Sequence, residues 1–187
     1  MTTEITLSPD ARIEFGFGTV KAEKTEWMYG EYFPYMAPAM AEHQLNILAG
    51  FRVIATNFAG GTPTTGSIAS WPSANHRAAL HNDPRFLKIQ PARDAAMEFL
   101  SGGHLFESID DLITLNTDAD YAFIISADPS ISEDNIFALP LTDDSPEQSY
   151  AGKFLMLRPW SEASDELLKS NPATAEVFRV RFSPSAR

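Results

Sequence analysis

The stretch that begins Trp71-Pro72-Ser73 and ends Asp83-Pro84-Arg85-Phe86 constrains the fold of this chain more than any other. The aromatic-proline pair ends a strand, and Ser73 is a helix N-cap because its hydroxyl can accept from an unpaired N–H of the first turn. Asp83-Pro84 then stops that helix. Pro84 opens a second one, since proline lacks only an N–H that the first turn leaves unbonded anyway. A strand, a helix, a break and a second helix within so short a span require a layer of helices lying on a sheet.

Composition narrows the class. With 187 residues, 44% hydrophobic and 21% charged, the chain has the makeup of a globular protein of one large domain or two small modules. No run is long and apolar enough for a membrane span, and Met1-Thr2-Thr3-Glu4-Ile5-Thr6 lacks the pattern of a signal peptide, so a cytoplasmic location and no membrane partner are expected. The absence of cysteine excludes disulfides, thiolate metal sites and cysteine nucleophiles. The net charge of -11 is concentrated between Asp94 and Gly152, where 13 acids stand with no lysine or arginine. Nucleic-acid binding needs clustered cations and is not expected.

Periodicity gives the order of elements. Ile13-Glu14-Phe15-Gly16-Phe17-Gly18-Thr19 alternates as a strand, with Gly16 and Gly18 on the face that admits close approach. Trp27 to Gln44 reads as a helix with an irregular start, its stripe being Tyr29, Tyr32, Phe33, Met36, Met40 and His43, bent by Pro34 or Pro38. Leu45 to Phe58 reads as a strand bulged near Gly50, and Gly60-Gly61-Thr62-Pro63 turns it into a third strand, Thr64 to Trp71. After the two helices, the second carrying Ile89, Ala96, Met97 and Leu100 up to Gly102-Gly103, a fourth strand falls at 104–109 or 111–115. The order β-α-β-β-α-β is the ferredoxin-like pattern.

The rest of the chain reads as a reduced version of the same plan. Tyr121 to Ala127, Ile136 to Leu141, Lys153 to Arg158 and Val177 to Phe182 are strands, and Ser161 opens a helix broken at Asn171-Pro172. Ser73 precedes Pro84 by 11 residues, and Ser161 precedes Pro172 by 11. The expectation is an α+β protein with a ferredoxin-like module over 1–117 and a degenerate second module over 118–187. In the second module the Pro-, Ser- and Asp-rich segment 128–149 replaces the first helix.

Residues 13 to about 109 resemble a domain-of-unknown-function family of the dimeric α+β barrel superfamily, related to antibiotic-biosynthesis monooxygenases. The resemblance rests on Trp71-Pro72-Ser73, Ala78-Ala79, Asp83-Pro84-Arg85-Phe86, Pro91 and Arg93, with Tyr29, Tyr32 and Pro38 matching more loosely. It departs at Leu80, where the family has an aromatic, and at Asp83 and Phe86, where it has serine and tyrosine. A lone four-stranded module leaves one face bare; the resemblance implies that this face pairs with a second copy, and a homodimer is expected, the alternative being that the second module covers the face within one chain as a pseudo-dimer. It does not imply one chemistry, since this fold hosts unrelated ones.

Arg93 is the sharpest site residue. It shares a helical face with Ile89, Ala96 and Leu100, and a guanidinium there must snorkel, pair with an acid or enter a polar cavity. It is either a clamp for an anion or carbonyl in the barrel, or a structural salt bridge to an acid on a neighbouring strand. Tyr32, Trp71 and Phe86 are core or the walls of a pocket for a flat ligand. His81 is a general base near neutral pH or a helix-end histidine. His43 closes the first helical stripe. Asn46 opens the second strand, and the resemblance brings it in because cofactor-free monooxygenases of the superfamily are thought to use Asn, Trp and Arg groups. The histidines have no metal-ligand spacing, Asp110-Asp111 and Asp118-x-Asp120 lack a calcium loop, and Gly16-Phe17-Gly18 is no dinucleotide fingerprint, so neither metal nor cofactor is expected. The leading reading is a protein of unassigned role that binds a small molecule in an α+β barrel pocket between sheet and helices. The alternatives are a cofactor-independent monooxygenase or isomerase for a carbonyl-bearing or aromatic metabolite, and a structural or regulatory oligomer with a filled barrel.

Overall fold

Ile13, Phe15 and Phe17 alternate along one strand and are all buried. That face of the strand lies inside a barrel. The computed structural model describes residues 2–101, 103–142 and 150–184. Gly102, the last part of the 128–149 segment and the extreme ends of both expected modules lie outside the described residues.

The strands are β1 (Thr2–Leu7), β2 (Arg12–Val20), β3 (Asn46–Thr56), β4 (Thr65–Trp71), β5 (Met97–Leu100), β6 (His104–Glu107), β7 (Asp111–Asn116), β8 (Tyr121–Ser126), β9 (Phe137–Pro140), β10 (Phe154–Pro159) and β11 (Glu176–Pro184). The helices are α1 (Thr25–Trp27), α2 (Phe33–Glu42), α3 (Ala74–His81), α4 (Pro84–Ala96) and α5 (Glu162–Leu168). A π turn, Met28–Tyr32, joins α1 to α2.

One antiparallel sheet runs in the order β5-β2-β4-β3-β11-β8-β10-β9, and β6 also pairs with β2 beyond β5. Its two edges meet. Phe106 of β6 bridges Leu141, just after β9, and the Thr142 amide donates to the Leu105 carbonyl at 2.8 Å. The sheet is thus a closed barrel of eight strand positions. Such a barrel is just wide enough for side chains to fill it. Here the filling is aromatic: Phe17 stacks on Phe178 at 4.3 Å, Phe123 lies 5.2 Å from Phe51, and Phe15 meets both Phe106 and Phe123. The ribbon β1–β7 stands apart from the sheet, but its inner face, Ile5, Leu7, Ile113 and Leu115, joins this same core.

The outer faces are covered differently. Over β4 and β6 lie α2, α3 and α4, with Met28, Tyr32, Met36, Ala39, Leu80, Phe86 and Ala96 packed on Trp71 and Leu105. Over β8, β10 and β11 a smaller cluster of Ala122, Ile124, Met156, Ala175 and Val177 takes Leu167 and Leu168 of α5. No helix among the described residues is long and apolar enough to cross a membrane.

Several expectations are corrected. The buried stripe of the first helix is Met28, Tyr32, Met36 and Ala39, which follow ordinary helical spacing, whereas Tyr29 and Phe33 lie toward the edge of that stripe and are exposed. Helix α4 ends at Ala96, so Met97 and Leu100 belong to β5. The Ala96 carbonyl accepts from the Lys21 amide, and β5 pairs with the end of β2. The methyl of Met97 is what approaches Gly18, leaving 2.8 Å for any added Cβ. Both proposed fourth strands form, but only His104–Glu107 joins the barrel. The bulge in β3 falls between Ile47 and Ala49. The sheet face that a lone four-stranded module would leave bare is covered within the single chain by the strands of the second half.

Candidate functional site

The helix break at Asp83 is built by hydrogen bonds. As N-cap of α4, Asp83 accepts from the Arg85 amide at 2.8 Å and from the Arg85 Nε at 2.9 Å. His43 Nε2 lies 3.0 Å from its other carboxylate oxygen, and Arg85 also donates to Glu42. These bonds, Arg85 first and His43 after it, hold the Asp83 carboxyl well below the usual carboxylate range. The clamp ties the C-terminus of α2 to the N-terminus of α4, and this is where the structure places His43.

A second polar cluster sits under α3. The outward-facing Glu14 of β2 accepts from Trp71 Nε1 at 2.6 Å and from Arg77 Nε at 3.0 Å. Arg77 also donates to the Gly103 carbonyl at 2.8 Å. The Trp71 ring is buried, so its one polar atom needs an acceptor, and Glu14 supplies it.

The third cluster centres on Phe86. The Arg93 guanidinium carbon lies 5.3 Å from the Phe86 ring centroid, and the His81 ring stacks on the same residue at 5.2 Å and 17°. Arg93 Nε is buried and lies 2.6 Å from Asp94 Oδ1, an ion pair whose angle does not make a hydrogen bond. Asp94 itself is half exposed. Tyr32 is buried in the same apolar layer, next to Trp27. Its burial pushes the hydroxyl above its ordinary range, against the field of Arg93. His81 keeps a solvent-exposed edge, but burial of its ring against Phe86, and then the charges of Arg77 and Arg93, push it down to about 4. It is therefore neutral at neutral pH and a weak base.

The structure thus brings Tyr32, Trp71, Phe86, His81 and Arg93 into one helix-covered layer outside the barrel. A clamp inside the barrel is not what forms: α4 packs on the outer face, and the interior is occupied by aromatic rings. His43 is drawn into the Asp83 clamp. Asn46 is exposed at the start of β3, opposite Ser70. Glu14 and Arg77 were not singled out from the sequence. An acid on the outward phase of β2, opposite Ile13 and Phe15, is the signal that marks such a partner. Among the described residues no group of three or more His, Asp or Glu side chains converges as metal ligands.

No family model matches the chain, and no curated protein matches it by sequence. Solved structures are similar in fold. An anthrone oxidase-like protein matches with a TM-score of 0.60 at 10% identity, over 98% of this chain and 97% of its own. A Fusobacterium nucleatum protein whose name offers monooxygenase as a provisional role matches at 0.43 and 11% identity, over 95% of each chain. At such identity the first likeness establishes a shared mixed α+β fold with an antiparallel sheet, consistent with the ferredoxin-like plan.

Proposed function

We propose that the protein binds a small, flat, carbonyl- or hydroxyl-bearing molecule in the helix-covered layer of its first half, with Arg93 as the polar anchor. One observation carries this reading: a guanidinium lies against Phe86 in an apolar layer, and its buried Nε has no hydrogen-bond acceptor. Arginine offers a planar fork of donors suited to a carbonyl or phenolate oxygen. Phe86, Trp71 and Tyr32 supply flat apolar walls.

A second reading, a cofactor-independent oxygenase or oxidase, is favoured by the fold shared with the anthrone oxidase-like protein. In it Arg93 stabilises the anion left when a proton leaves the substrate, and molecular oxygen is the oxidant. His81 accepts a proton only weakly, so such a substrate must be acidic in its own right. A third reading, a structural oligomer, draws support from the filled barrel interior.

Anthrone tests the first two readings. Titrated without oxygen, it should quench tryptophan fluorescence saturably in the wild type and bind at least about tenfold more weakly to Arg93→Leu. Equal binding by the two proteins removes Arg93 from the site. Under air, one anthrone and one oxygen give one anthraquinone and one water. Formation of anthraquinone faster with protein than without, and slower with Arg93→Leu, separates the enzyme from the binding protein.

We also infer that 118–187 is a reduced copy of 1–117, so that one chain closes a barrel that relatives close with two. Supporting this, β6-β2-β4-β3 and β11-β8-β10-β9 take the same positions of a four-strand plan, fourth-first-third-second. Ser73 and Ser161 both precede a helix in extended backbone after the third strand. A homodimer is then not required for closure. Sedimentation at micromolar concentration should give the 20.6 kDa of one chain, and a stable dimer would restore the original expectation.

A further inference from the structure

We propose that one open end of the barrel is a second ligand site, for a small organic carboxylate with an aryl or alkyl body. The strand ends that meet there come from both halves: the end of β3, the end of β5, and the starts of β10 and β11. They enclose a cleft of about 410 Å³ whose lining includes Phe58, Phe99, Leu100, Pro172, Lys153 and Glu176. That volume is within the range of small-molecule sites.

Its aromatic walls are built into the fold. Phe58 and Phe99 meet edge to face at 5.8 Å. Phe99 also lies so close to the turn that a Cβ on Gly61 would sit 2.3 Å from its ring. The Gly60-Gly61 turn therefore fixes the aromatic edge of the cleft, a role the sequence pattern does not reveal.

The two charges differ in how far they are satisfied. Glu176 is nine-tenths buried; one oxygen accepts from the Tyr150 hydroxyl and the other lies 3.8 Å from Lys153 Nζ. Tyr150, itself buried, is packed against His104 at 4.5 Å, so the carboxylate is anchored to the barrel core. Lys153 is more open, 30% exposed. Its ammonium lies 5.1 Å from the Tyr150 ring centroid, and 3.8 Å from Glu176 is beyond hydrogen-bond length. Tyr150 and Glu176 hold the ammonium in place, and its donors remain available to an oxygen from the cleft. An anion on Lys153 puts its hydrocarbon against Phe58, Phe99 and Pro172. A cationic ligand would have to displace Lys153 from a carboxylate that is already shared.

Calorimetric titration of the full chain with 2-naphthoate, and with neutral 2-naphthylmethanol, tests this. Saturable one-to-one binding is expected for the carboxylate, at least about tenfold tighter than for the alcohol. Lys153→Met and Lys153→Gln should each lose about that factor, while Glu176→Gln keeps the Tyr150 bond, removes the competing charge and tightens binding. Arg93→Leu should leave 2-naphthoate binding unchanged. The proposal is overturned by equal affinity for acid and alcohol, by no saturable binding, or by lysine variants that bind as the wild type does. It falls equally if Glu176→Gln weakens binding, which marks a cation site, or if Arg93→Leu abolishes it, which places the ligand in the helix layer.

Discussion

The two halves of the barrel have the same strand order and differ in what covers them. The first half carries α2, α3 and α4 and buries Trp71 with its Nε1 bonded to Glu14. The second half has a short 3₁₀ turn, Pro129–Ile131, and α5. There Trp160, which precedes the helix N-cap as Trp71 does, has its Nε1 buried without a partner among the described residues, and Arg179 lies over its ring at 4.9 Å. Arg179 and Arg181 in turn share Asp120, both at 2.7 Å. Each half has an arginine whose buried Nε makes no hydrogen bond, but Arg158 of the second half donates through its other nitrogens to Ser132 and Ser161, whereas Arg93 of the first half lies beside the half-exposed Asp94 and the Phe86 ring. Barrel closure requires four strands from each half and a common aromatic filling. It does not require matching helices, so the half with more cover can hold a site.

The largest effect tests whether the halves are one folding unit. Phe123 of the second half contacts Phe15 and Phe51 of the first. Phe123→Ala should cost about 3–5 kcal/mol through the cavity it leaves. Trp71 and Trp160 report on different halves, so single-tryptophan versions unfolded in urea should give one coincident transition, shifted together by Phe123→Ala. Two separate transitions would mean that the halves are independent domains.

A smaller effect is expected at Arg93, to which the proposed site gives a part in binding rather than in stability. Arg93→Leu places an apolar side chain on an apolar layer, and the melting temperature should stay within a few degrees. A collapse in stability would mean that the guanidinium balances a structural charge and that the first half has no more of a site than the second.

The smallest effect is a pH dependence confined to the first half. An unfolded histidine takes up its proton near 6.5, and His81 in the fold does so only near 4. The unfolded state therefore binds more protons between these values. Stability from His81 is complete above about 6.5 and is lost as pH falls through that window. His81→Gln should flatten the stability profile there. An unchanged slope would show that the ring stacked on Phe86 is not shielded enough to matter.

Much of this molecule is legible in the sequence because the signals are local. Period-two alternation marks β2, β8 and β11, and Asp83-Pro84 marks the break between α3 and α4, since a missing N–H and an N-cap act within one turn. Arg93 stands out as a cation on an apolar helical face, and Trp71, Tyr32 and Phe86 as aromatics on faces that must be buried. Tertiary structure decided the rest. Met97 to Leu100 left the helix because β2 had an edge to pair, and Tyr29 faced solvent because the helices packed on Met28, Tyr32 and Met36 instead. Glu14 found Trp71, and His43 found Asp83, across contacts that no spacing in the chain encodes. The meeting of β6 with Leu141 placed Lys153 and Glu176 beside Phe58 and Phe99. Hydrogen-bond periodicity and turn chemistry depend on neighbours in the chain. Which edges meet, and which charges are left to share one carboxylate, depends on closing a sheet over residues far apart in sequence.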